Sequence, residues 1–442
     1  MNNTDTIYAV SSGSGMAGIA VIRLSGSQVS KLVAGIAGSL PKPRAASVRQ
    51  LLDPVSKEII DQALVLWMPG PNSVTGEDVA EFHVHGSIAV IDALFAALEN
   101  HEGVRLAEAG EFTRRAFSNN RMDLVEAEGL ADLLHARTEA QRRMAVNHLL
   151  GHASSIYETW RNELIAISAH LEAAIDFVDE EGVAEAAMRG VKIRITELID
   201  VLRRAVAQSD RAGVLRSGVK VVFAGAPNVG KSSLLNLVAS REAAIVSSRP
   251  GTTRDVIEVS IVLDGVPILL TDTAGLRLTS CDEIENIGMQ RARSEIAAAD
   301  IVVWVSSPDV AADVDAPVIP DILVFNKLDL LGDNSIHTRN NPGFGISAKT
   351  GEGLERFLQE LKRLVIERFG GMEQAVVVRS RQKSAVEDSI RYLNESLGHD
   401  VDHIELAAEC LRGACYSMAR ITGRVDVEDL LGKIFSEFCI GK

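Results

Sequence analysis

Residues 225–232 have the composition and spacing of a phosphate-binding loop. They follow the pattern G-x-x-x-x-G-K-S/T, in which glycines allow a tight turn and backbone N–H groups point at phosphate oxygens. Lys231 is placed to reach the outer phosphates, and Ser232 is placed to bind Mg²⁺. An apolar run, 219–224, precedes the loop and leucines at helical spacing follow it, so the anion would also lie at a helix N-terminus. The sequence therefore predicts a strand, a phosphate-binding loop and a helix, in that order.

Two later segments suit a switch that senses the terminal phosphate of a nucleotide. Residues 251–255, G-T-T-R-D, offer hydroxyl groups, and Thr253 is the candidate second ligand of Mg²⁺. Residues 272–275, D-T-A-G, follow a predicted strand. There Asp272 can hold Mg²⁺ through water, while Gly275 lets a backbone N–H approach the γ-phosphate. Together with the loop, these segments predict a metal-dependent nucleotide site.

The base is predicted from residues 326–329, N-K-L-D, which follow the apolar run 322–325. The carboxylate of Asp329 can accept two hydrogen bonds from the N–H edge of guanine, whereas adenine has no matching pair of donors. In the segment S-A-K that follows, the backbone N–H of Ala348 is placed to reach the guanine oxygen. The pattern predicts selection of GTP over ATP and counts against the alternative of a P-loop ATPase.

The residue that follows D-T-A-G is Leu276. Ras-like enzymes carry there the glutamine that orients the attacking water, and an apolar side chain cannot replace it. Another group must therefore position the water and supply positive charge in the transition state, a role often filled by an arginine finger.

In their order, the motifs above resemble the five signature segments of the translation-factor-like GTPases. Further segments resemble a narrower family from end to end of the chain, the tRNA-modification GTPases MnmE, also called TrmE. The segments that carry this resemblance are Asn228, residues 247–253, residues 438–442 and residues 70–78, G-P-N-S-V-T-G-E-D.

The resemblance implies a multidomain α+β and α/β architecture. An N-terminal α+β domain for folate binding and dimerisation would cover residues 1–120. An all-α helical domain would be built from residues 121–215 and 372–442, and a P-loop GTPase domain with a Ras-like doubly wound sheet, residues 216–371, would be inserted between them.

For catalysis, the resemblance implies that K⁺ replaces an arginine finger when two GTPase domains meet. It assigns K⁺ to Asn228, Ser247, Arg249 and Thr252, and the water-orienting role to Glu285, with Glu283 as the alternative; Lys231 is the second catalytic residue. The residues expected to contact GTP are Asn228, Val229, Gly230, Lys231, Ser232, Ser233, Ser247, Ser248, Arg249, Pro250, Gly251, Thr252, Thr253, Asp272, Thr273, Ala274, Gly275, Asn326, Lys327, Asp329, Ser347, Ala348 and Lys349.

A reduced-folate site is implied at Arg23, Glu81, Arg121 and Lys442, for 5-formyl- or methylene-tetrahydrofolate. Glu81 offers a partner to the pterin edge, and the cations suit the glutamate tail. Arg121 departs from the lysine more usual in the family, so a planar guanidinium replaces a point charge.

The function implied is K⁺- and Mg²⁺-dependent GTP hydrolysis that drives modification of the wobble uridine of certain tRNAs. The product would be of the carboxymethylaminomethyl type at C5, made by a homodimer that forms a heterotetramer with the flavoprotein MnmG (GidA). The alternative is a ribosome-assembly GTPase switch of the Era or Der type. Such chains should carry a KH domain with a G-x-x-G loop or a second phosphate loop, and neither is found in this sequence.

The elements that must position these residues are indicated by periodicity. Short apolar runs at 19–24, 63–67 and 80–85 predict strands, and strands alternate with helices from 220 to about 370, which predicts a largely parallel sheet. Helical spacing predicts a long helix with Trp160, Leu164, Ile167, Leu171 and Ile175 on one face, and a helix near the end of the sequence with Leu430, Leu431, Ile434, Phe435 and Phe438 on one face.

Composition is that of a globular protein, with 46% hydrophobic and 24% charged residues among 442 and a net charge of −15. No apolar run is long enough to cross a membrane and no signal peptide is evident, so a cytoplasmic protein is expected. The four cysteines lack C-x-x-C spacing, and Cys439 is expected to be buried. His83 and His85 are expected to pack or contact substrate rather than bind metal, and the basic clusters 142–143 and 379–383 are candidate contacts for tRNA phosphates.

Overall fold

The computed structural model describes residues 5–13, 15–175, 183–241, 258–272, 293–310, 319–331, 343–372, 374–425, 428–436 and 438–442. The chain forms two compact units. The first consists of Met1–Ala131, His148–Val191 and Arg391–Lys442, and the second of Asp132–Asn147 and Lys192–Ile390. The domain boundaries predicted above at residues 120, 215 and 371 stay a prediction.

The first unit is built on a mixed sheet whose strands are β1 (Thr6–Val10), β2 (Ala17–Ser25), β3 (Ser47–Leu52), β4 (Ile59–Met68), β5 (Val79–Gly86) and β6 (Val104–Leu106). Their order is β3-β4-β5-β2-β1-β6, with β1 and β6 parallel and the other pairs antiparallel. Three of these strands, β2, β4 and β5, were predicted from their apolar runs and are confirmed.

One face of this sheet is covered by two helices, α1 (Val29–Ala37) and α2 (Ile88–Glu99). Alternate strand residues such as Phe82 point into the core that these helices close, because successive side chains of a strand face opposite ways. On the other face, α3 (Glu111–Ser118) contributes Phe112, which packs on Ile7 and Ala9. That second face also carries Arg23 and Glu81, which are only partly buried.

The rest of the first unit is helical. Its elements include α4 (Leu124–His135), α6 (His152–Ile175), α11 (Ile404–Thr422) and α12 (Glu428–Ser436). Helix α6 packs along α11, and it buries Trp160, Leu164, Ile167 and Leu171 as their spacing predicted. Helix α12 contacts α3 and ends before Phe438, whose ring lies 5.9 Å from that of Phe435.

The second unit contains a sheet of β7 (Val219–Ala224), β8 (Glu258–Leu263), β9 (Val266–Asp272), β10 (Ile301–Ser306), β11 (Ile322–Phe325) and β12 (Phe344–Gly345). Their order is β12-β11-β10-β7-β9-β8, and each neighbouring pair is parallel except β8 with β9. This is the largely parallel, doubly wound sheet predicted from the alternation of short strands and helices.

Both faces of this sheet are covered, which explains why its strands are nearly continuous apolar runs. Residues from α8 (Lys231–Arg241) and α9 (Leu354–Phe369) close one face in a core with Val221, Phe223 and Val303. Val222, Ala224 and Val302 form a smaller cluster on the other face. Three further helices, α5 (Glu139–Leu149), α7 (Val183–Ser217) and α10 (Ser380–Leu397), each have residues in both units. Among the residues described, no helix is long and apolar enough to cross a membrane.

A buried ion network holds α3 to the first sheet. The carboxylate of Glu111, only 2% exposed, accepts hydrogen bonds from Arg105 at 2.7 and 2.9 Å and from Arg115 at 3.0 Å. Arg115 also donates to Glu77 at 2.9 Å. Burial alone would raise the pKa of Glu111, but the hydrogen bonds from Arg105, the backbone N–H of Glu108 and Arg115 outweigh it and lower that pKa to about 2.

Replacing Glu111 by glutamine should lower the free energy of unfolding by roughly 3 kcal/mol at pH 7, the energy that such a pKa shift represents. Because the pKa is lower in the folded state, this stabilisation is fully present above the unfolded pKa and is lost as pH falls toward 2. Thermal unfolding at pH 7 and pH 3 measures both effects, and the variant should lose less stability on acidification than the wild type.

The matched control for Glu111→Gln is Glu139→Gln. The pKa of Glu139 is also lowered to about 2, by Arg142 and Arg143, but this carboxylate is exposed and its ion pairs are screened by water. The control should unfold like the wild type, and equal destabilisation of the two variants would contradict the role assigned to burial.

Candidate functional site

The phosphate-binding loop joins β7 to α8 and depends on its glycines. Gly225 has φ +141° and Gly230 has φ +94°, values that disfavour other residues. A Cβ atom at Gly225 would lie 2.1 Å from the carbonyl oxygen of Val305 on the neighbouring strand β10. Asn228 also has positive φ, +64°, and its side chain is exposed at the tip of the loop. The loop conformation therefore follows from the predicted motif.

Two polar side chains at the start of α8, Lys231 and Ser232, form hydrogen bonds around the loop. Lys231 is 5% exposed, and its Nζ donates to the carbonyl oxygens of Gly225 at 2.9 Å and Ala226 at 2.8 Å. The Ser232 hydroxyl, at the start of α8, donates to the carboxylate of Asp272 at the end of β9. A hydroxyl and a carboxylate are hard oxygen ligands of the kind that Mg²⁺ takes in nucleotide sites, so this pair fits the predicted metal.

The base-recognition segments are joined to the loop by Asn326, which is 2% exposed. Its side-chain Nδ2 donates to the carbonyl oxygen of Val229 at 2.9 Å, and its Oδ1 accepts from the backbone N–H of Ala348 at 3.0 Å. One amide thus joins the loops that follow β7, β11 and β12. The contact predicted between the N–H of Ala348 and guanine stays a prediction.

Asp329 lies beside this junction. Its Oδ1 accepts a hydrogen bond from Ser347 at 2.6 Å, which lowers the pKa of Asp329 and keeps the carboxylate ionised as a pure acceptor. The side chain is exposed, as are those of Ser233 and Lys349. The carboxylate is therefore accessible to a ligand while its orientation is fixed from behind.

Several predicted site residues lie outside the described part of the chain. They are Ser247, Ser248, Arg249, Pro250, Gly251, Thr252, Thr253, Thr273, Ala274, Gly275, Leu276, Glu283 and Glu285. Their roles stay predictions.

A second cluster of polar side chains lies on the face of the first sheet that packs against α3. Arg23 on β2 donates from Nε and Nη2 to Glu81 Oε1 on β5, at 3.0 and 2.9 Å, and its guanidinium lies 5.8 Å from the centre of the Phe112 ring. His83 contacts the other carboxylate oxygen of Glu81 at 3.1 Å. Burial would raise the pKa of Glu81, but His83 and Arg23 together lower it. Arg23 and Glu81, predicted as folate contacts, are thus paired.

The residues at the end of the sequence return to this sheet. Ala109 forms a β-bridge with Ile440, and the Ser11 hydroxyl donates to the carbonyl oxygen of Gly441 at 2.9 Å. A Cβ atom at Gly441 would lie 2.1 Å from the carbonyl oxygen of Val10, the residue after Ala9, which is paired with Arg23. This places Lys442 at the end of β1. Arg121 is exposed after α3, with its side chain against Gly76.

Two further expectations from the sequence concern Cys439 and the histidines of β5. The expectation that Cys439 is buried was wrong, because its side chain is exposed. His85 pairs with Asp61 at 2.8 Å, and the described residues contain no cluster that could hold a metal ion.

The two basic clusters are engaged in ion pairs within the protein. Arg142 and Arg143 both pair with Glu139, and Arg379 pairs with Asp132 at 2.7 Å. A tRNA phosphate at either cluster would have to compete with a carboxylate that is already in place.

Three contributors to these sites were missed in the sequence. His83 was expected to pack or contact substrate, but its contact with Glu81 was not predicted, although a spacing of two places both residues on one face of a strand. Asp309, which pairs with Lys327, and Phe112, beneath Arg23, carry no local signal because their partners are distant in sequence.

Together, a doubly wound sheet, a phosphate-binding loop and the N-K-L-D and S-A-K segments identify a P-loop GTPase domain within the second unit. Residues 124–439 match the MnmE helical domain and residues 6–121 match the N-terminus of the GTP-binding protein TrmE. The chain belongs to the MnmE family of tRNA modification GTPases, which confirms the family predicted from the sequence.

Individual relatives match over almost their whole length. The tRNA modification GTPase MnmE of Rhodopseudomonas palustris (strain ATCC BAA-98 / CGA009) is 46% identical and covers 99% of this chain and 99% of its own. That of Phenylobacterium zucineum (strain HLK1) is 46% identical and covers 99% and 100%. Among solved structures, the G domain of the T. maritima FeoB iron transporter is 27% identical and covers 33% of this chain and 97% of its own; its TM-score of 0.23 adds nothing to the fold described above.

Replacing Asn326 by alanine should weaken the binding of GDP and GTP by about thirtyfold or more, since it leaves two backbone groups without their partner at about 1–3 kcal/mol each. Asn326→Asp keeps the acceptor for Ala348 but places a buried carboxylate oxygen against the carbonyl of Val229, so its loss should be at least as large as that of alanine. Titration calorimetry measures both, and unchanged affinity in Asn326→Ala would contradict the role of this amide.

Proposed function

We propose that this protein hydrolyses GTP in a K⁺- and Mg²⁺-dependent way, and that the cycle drives modification of the wobble uridine of certain tRNAs. The observation that carries the proposal is the junction at Asn326, which brings the phosphate-binding loop and the base-recognition loops to one edge of the sheet. Full-length similarity to the MnmE proteins supports the tRNA as substrate.

In the proposed reaction, the backbone N–H groups of the loop and Lys231 bind the phosphates, and Asp329 orients guanine. Lys231 donates to the carbonyl oxygens of Gly225 and Ala226, and a phosphate offers its ammonium group a stronger, charged acceptor. Ser232 and Asp272 would hold Mg²⁺, which neutralises phosphate charge, with Thr253 as a further ligand. Glu285 would orient the attacking water, a role that the apolar side chain of Leu276 cannot fill.

The proposed potassium site supplies the charge that an arginine finger would otherwise bring. Asn228 is suited to it because its side chain is exposed at the tip of the phosphate-binding loop, where a carboxamide oxygen can bind a cation near the phosphates. Ser247, Arg249 and Thr252 would surround the ion when two GTPase domains meet.

For the tRNA reaction, we propose that the Arg23–Glu81 pair and Lys442 bind a reduced folate as one-carbon donor, with Arg121 on its glutamate tail. The ionised carboxylate of Glu81 suits the N–H groups of a pterin edge. The guanidinium of Arg23 lies over the buried ring of Phe112, which helps to hold it in place. A homodimer working with the flavoprotein MnmG would add an aminomethyl-type group at uridine C5.

GTP hydrolysis should be much faster in KCl than in NaCl at equal ionic strength, because the two salts screen charge equally and differ only in the ion that can fill the site. Asn228→Ala should lose this difference while keeping affinity for GDP, which contacts the loop through backbone groups. Steady-state phosphate release measures both; equal wild-type rates in the two salts would remove K⁺ from the mechanism but leave the GTPase.

Replacing Glu81 by glutamine should weaken binding of 5-formyl-tetrahydrofolate by about tenfold or more, since an amide offers one acceptor where the carboxylate offers two and Arg23 loses its counter-ion. Asp61→Asn is the matched control, because Asp61 is a carboxylate on the neighbouring strand that pairs with His85. Titration calorimetry should show loss in Glu81→Gln alone. Similar affinity in all three proteins would place the folate elsewhere.

A further inference from the structure

The side chain of Lys327, within the N-K-L-D segment, is held by a carboxylate that belongs to none of the recognised motifs. Its Nζ lies 2.6 Å from Asp309 Oδ2, and both side chains are partly exposed. Asp309 follows β10 and Lys327 follows β11, and these adjacent strands are parallel, with Ser306 paired to Phe325. The two loops therefore leave the sheet side by side at the edge that carries the nucleotide site.

Asp309 is held on a short turn. Its sequence is Ser307-Pro308-Asp309-Val310, and the backbone N–H of Val310 donates to the carbonyl oxygen of Ser307 at 3.3 Å. Proline at the second position fixes one backbone angle of such a turn in advance. Val310 packs against the main core of the second unit and Ser307 is 7% exposed, so the turn is anchored at both ends. The carboxylate thus occupies a position that the fold determines.

Lys327 is also constrained from its backbone side. It has φ +62°, and the N–H of the preceding Asn326 donates to the carbonyl oxygen of Ser306 at 2.8 Å. With the backbone and Nζ both held, the four methylene groups between them are restricted to few rotamers. The methylene groups of a lysine present apolar surface to a flat ring. Because these groups are already ordered before the ligand binds, less side-chain entropy is lost on binding.

We infer that Asp309 is a positioning residue for guanine recognition: it holds the stem of Lys327 in place against the face of the base while Asp329 binds the edge. This inference rests on the proposed GTP site and names a residue outside its motifs. The ion pair also lowers the pKa of Asp309, which keeps the carboxylate charged at neutral pH.

Asp309→Asn should raise the Kd of fluorescently labelled GDP about threefold, on the scale of an exposed ion pair, chiefly through faster dissociation. Stopped-flow measurement of binding and release gives both rate constants. The matched control is Asp264→Asn, which removes another exposed aspartate paired with a lysine, Lys362, at 3.9 Å in the same unit. The control should bind GDP as the wild type does, and both variants should keep the wild-type thermal midpoint without nucleotide.

A double-mutant cycle separates positioning from a general structural effect. Lys327→Met keeps the apolar stem and removes the charge, so adding Asp309→Asn to it should change the GDP affinity no further. Unchanged affinity in Asp309→Asn alone, or the same threefold loss in both backgrounds, would overturn the inference and leave the GTP site intact. Failure of the wild type to prefer GDP to ADP would overturn the proposed guanine site itself, and the inference with it.

Discussion

Parallel pairing of β7 with β9 and β10, and of β10 with β11, is the constraint on which the nucleotide site depends. Because the carboxyl ends of parallel strands meet at one edge of a sheet, loops far apart in sequence are brought together there. Asn326 turns this proximity into a fixed geometry, since one buried amide bonds to the loops after β7 and β12. The phosphate half and the base half of the site are therefore held as one piece.

Lys231 and Asp329 have neutral hydrogen-bond partners, which leave their charged groups able to bind a ligand. Lys231 is bonded to neutral carbonyl oxygens, and a phosphate offers it a stronger acceptor. Asp329 receives its hydrogen bond from a hydroxyl on one oxygen and keeps acceptor capacity for a base. By contrast, Arg115 and Glu111 are buried together, where separating the charges would cost several kcal/mol. Hydrogen bonds to neutral partners therefore suit ligand binding, whereas the buried ion pair stabilises the fold.

The GTP site was largely predictable from sequence because its chemistry restricts residue types over short spans. Only glycine tolerates the approach of Gly225 to Val305, so the loop conformation could be predicted, and Asp329 stays the predicted guanine contact because a carboxylate offers two acceptors. Asp309 could not be found, because nothing within its own turn indicates the partner at Lys327, which the pairing of β10 and β11 supplies. A local pattern identifies the group that touches a ligand more readily than the group that holds it.

The first unit shows the opposite case, in which long-range contacts build the surface proposed to bind folate. Ile440 bridges to Ala109, and Gly441 approaches the carbonyl of Val10 so closely that a side chain there would not fit. These contacts bring the last residues of the sequence to the strand that pairs with Arg23, whereas the buried position expected for Cys439 from its residue type was wrong. Ser11 and Gly441, 430 positions apart in the sequence, therefore meet at one surface of the first unit.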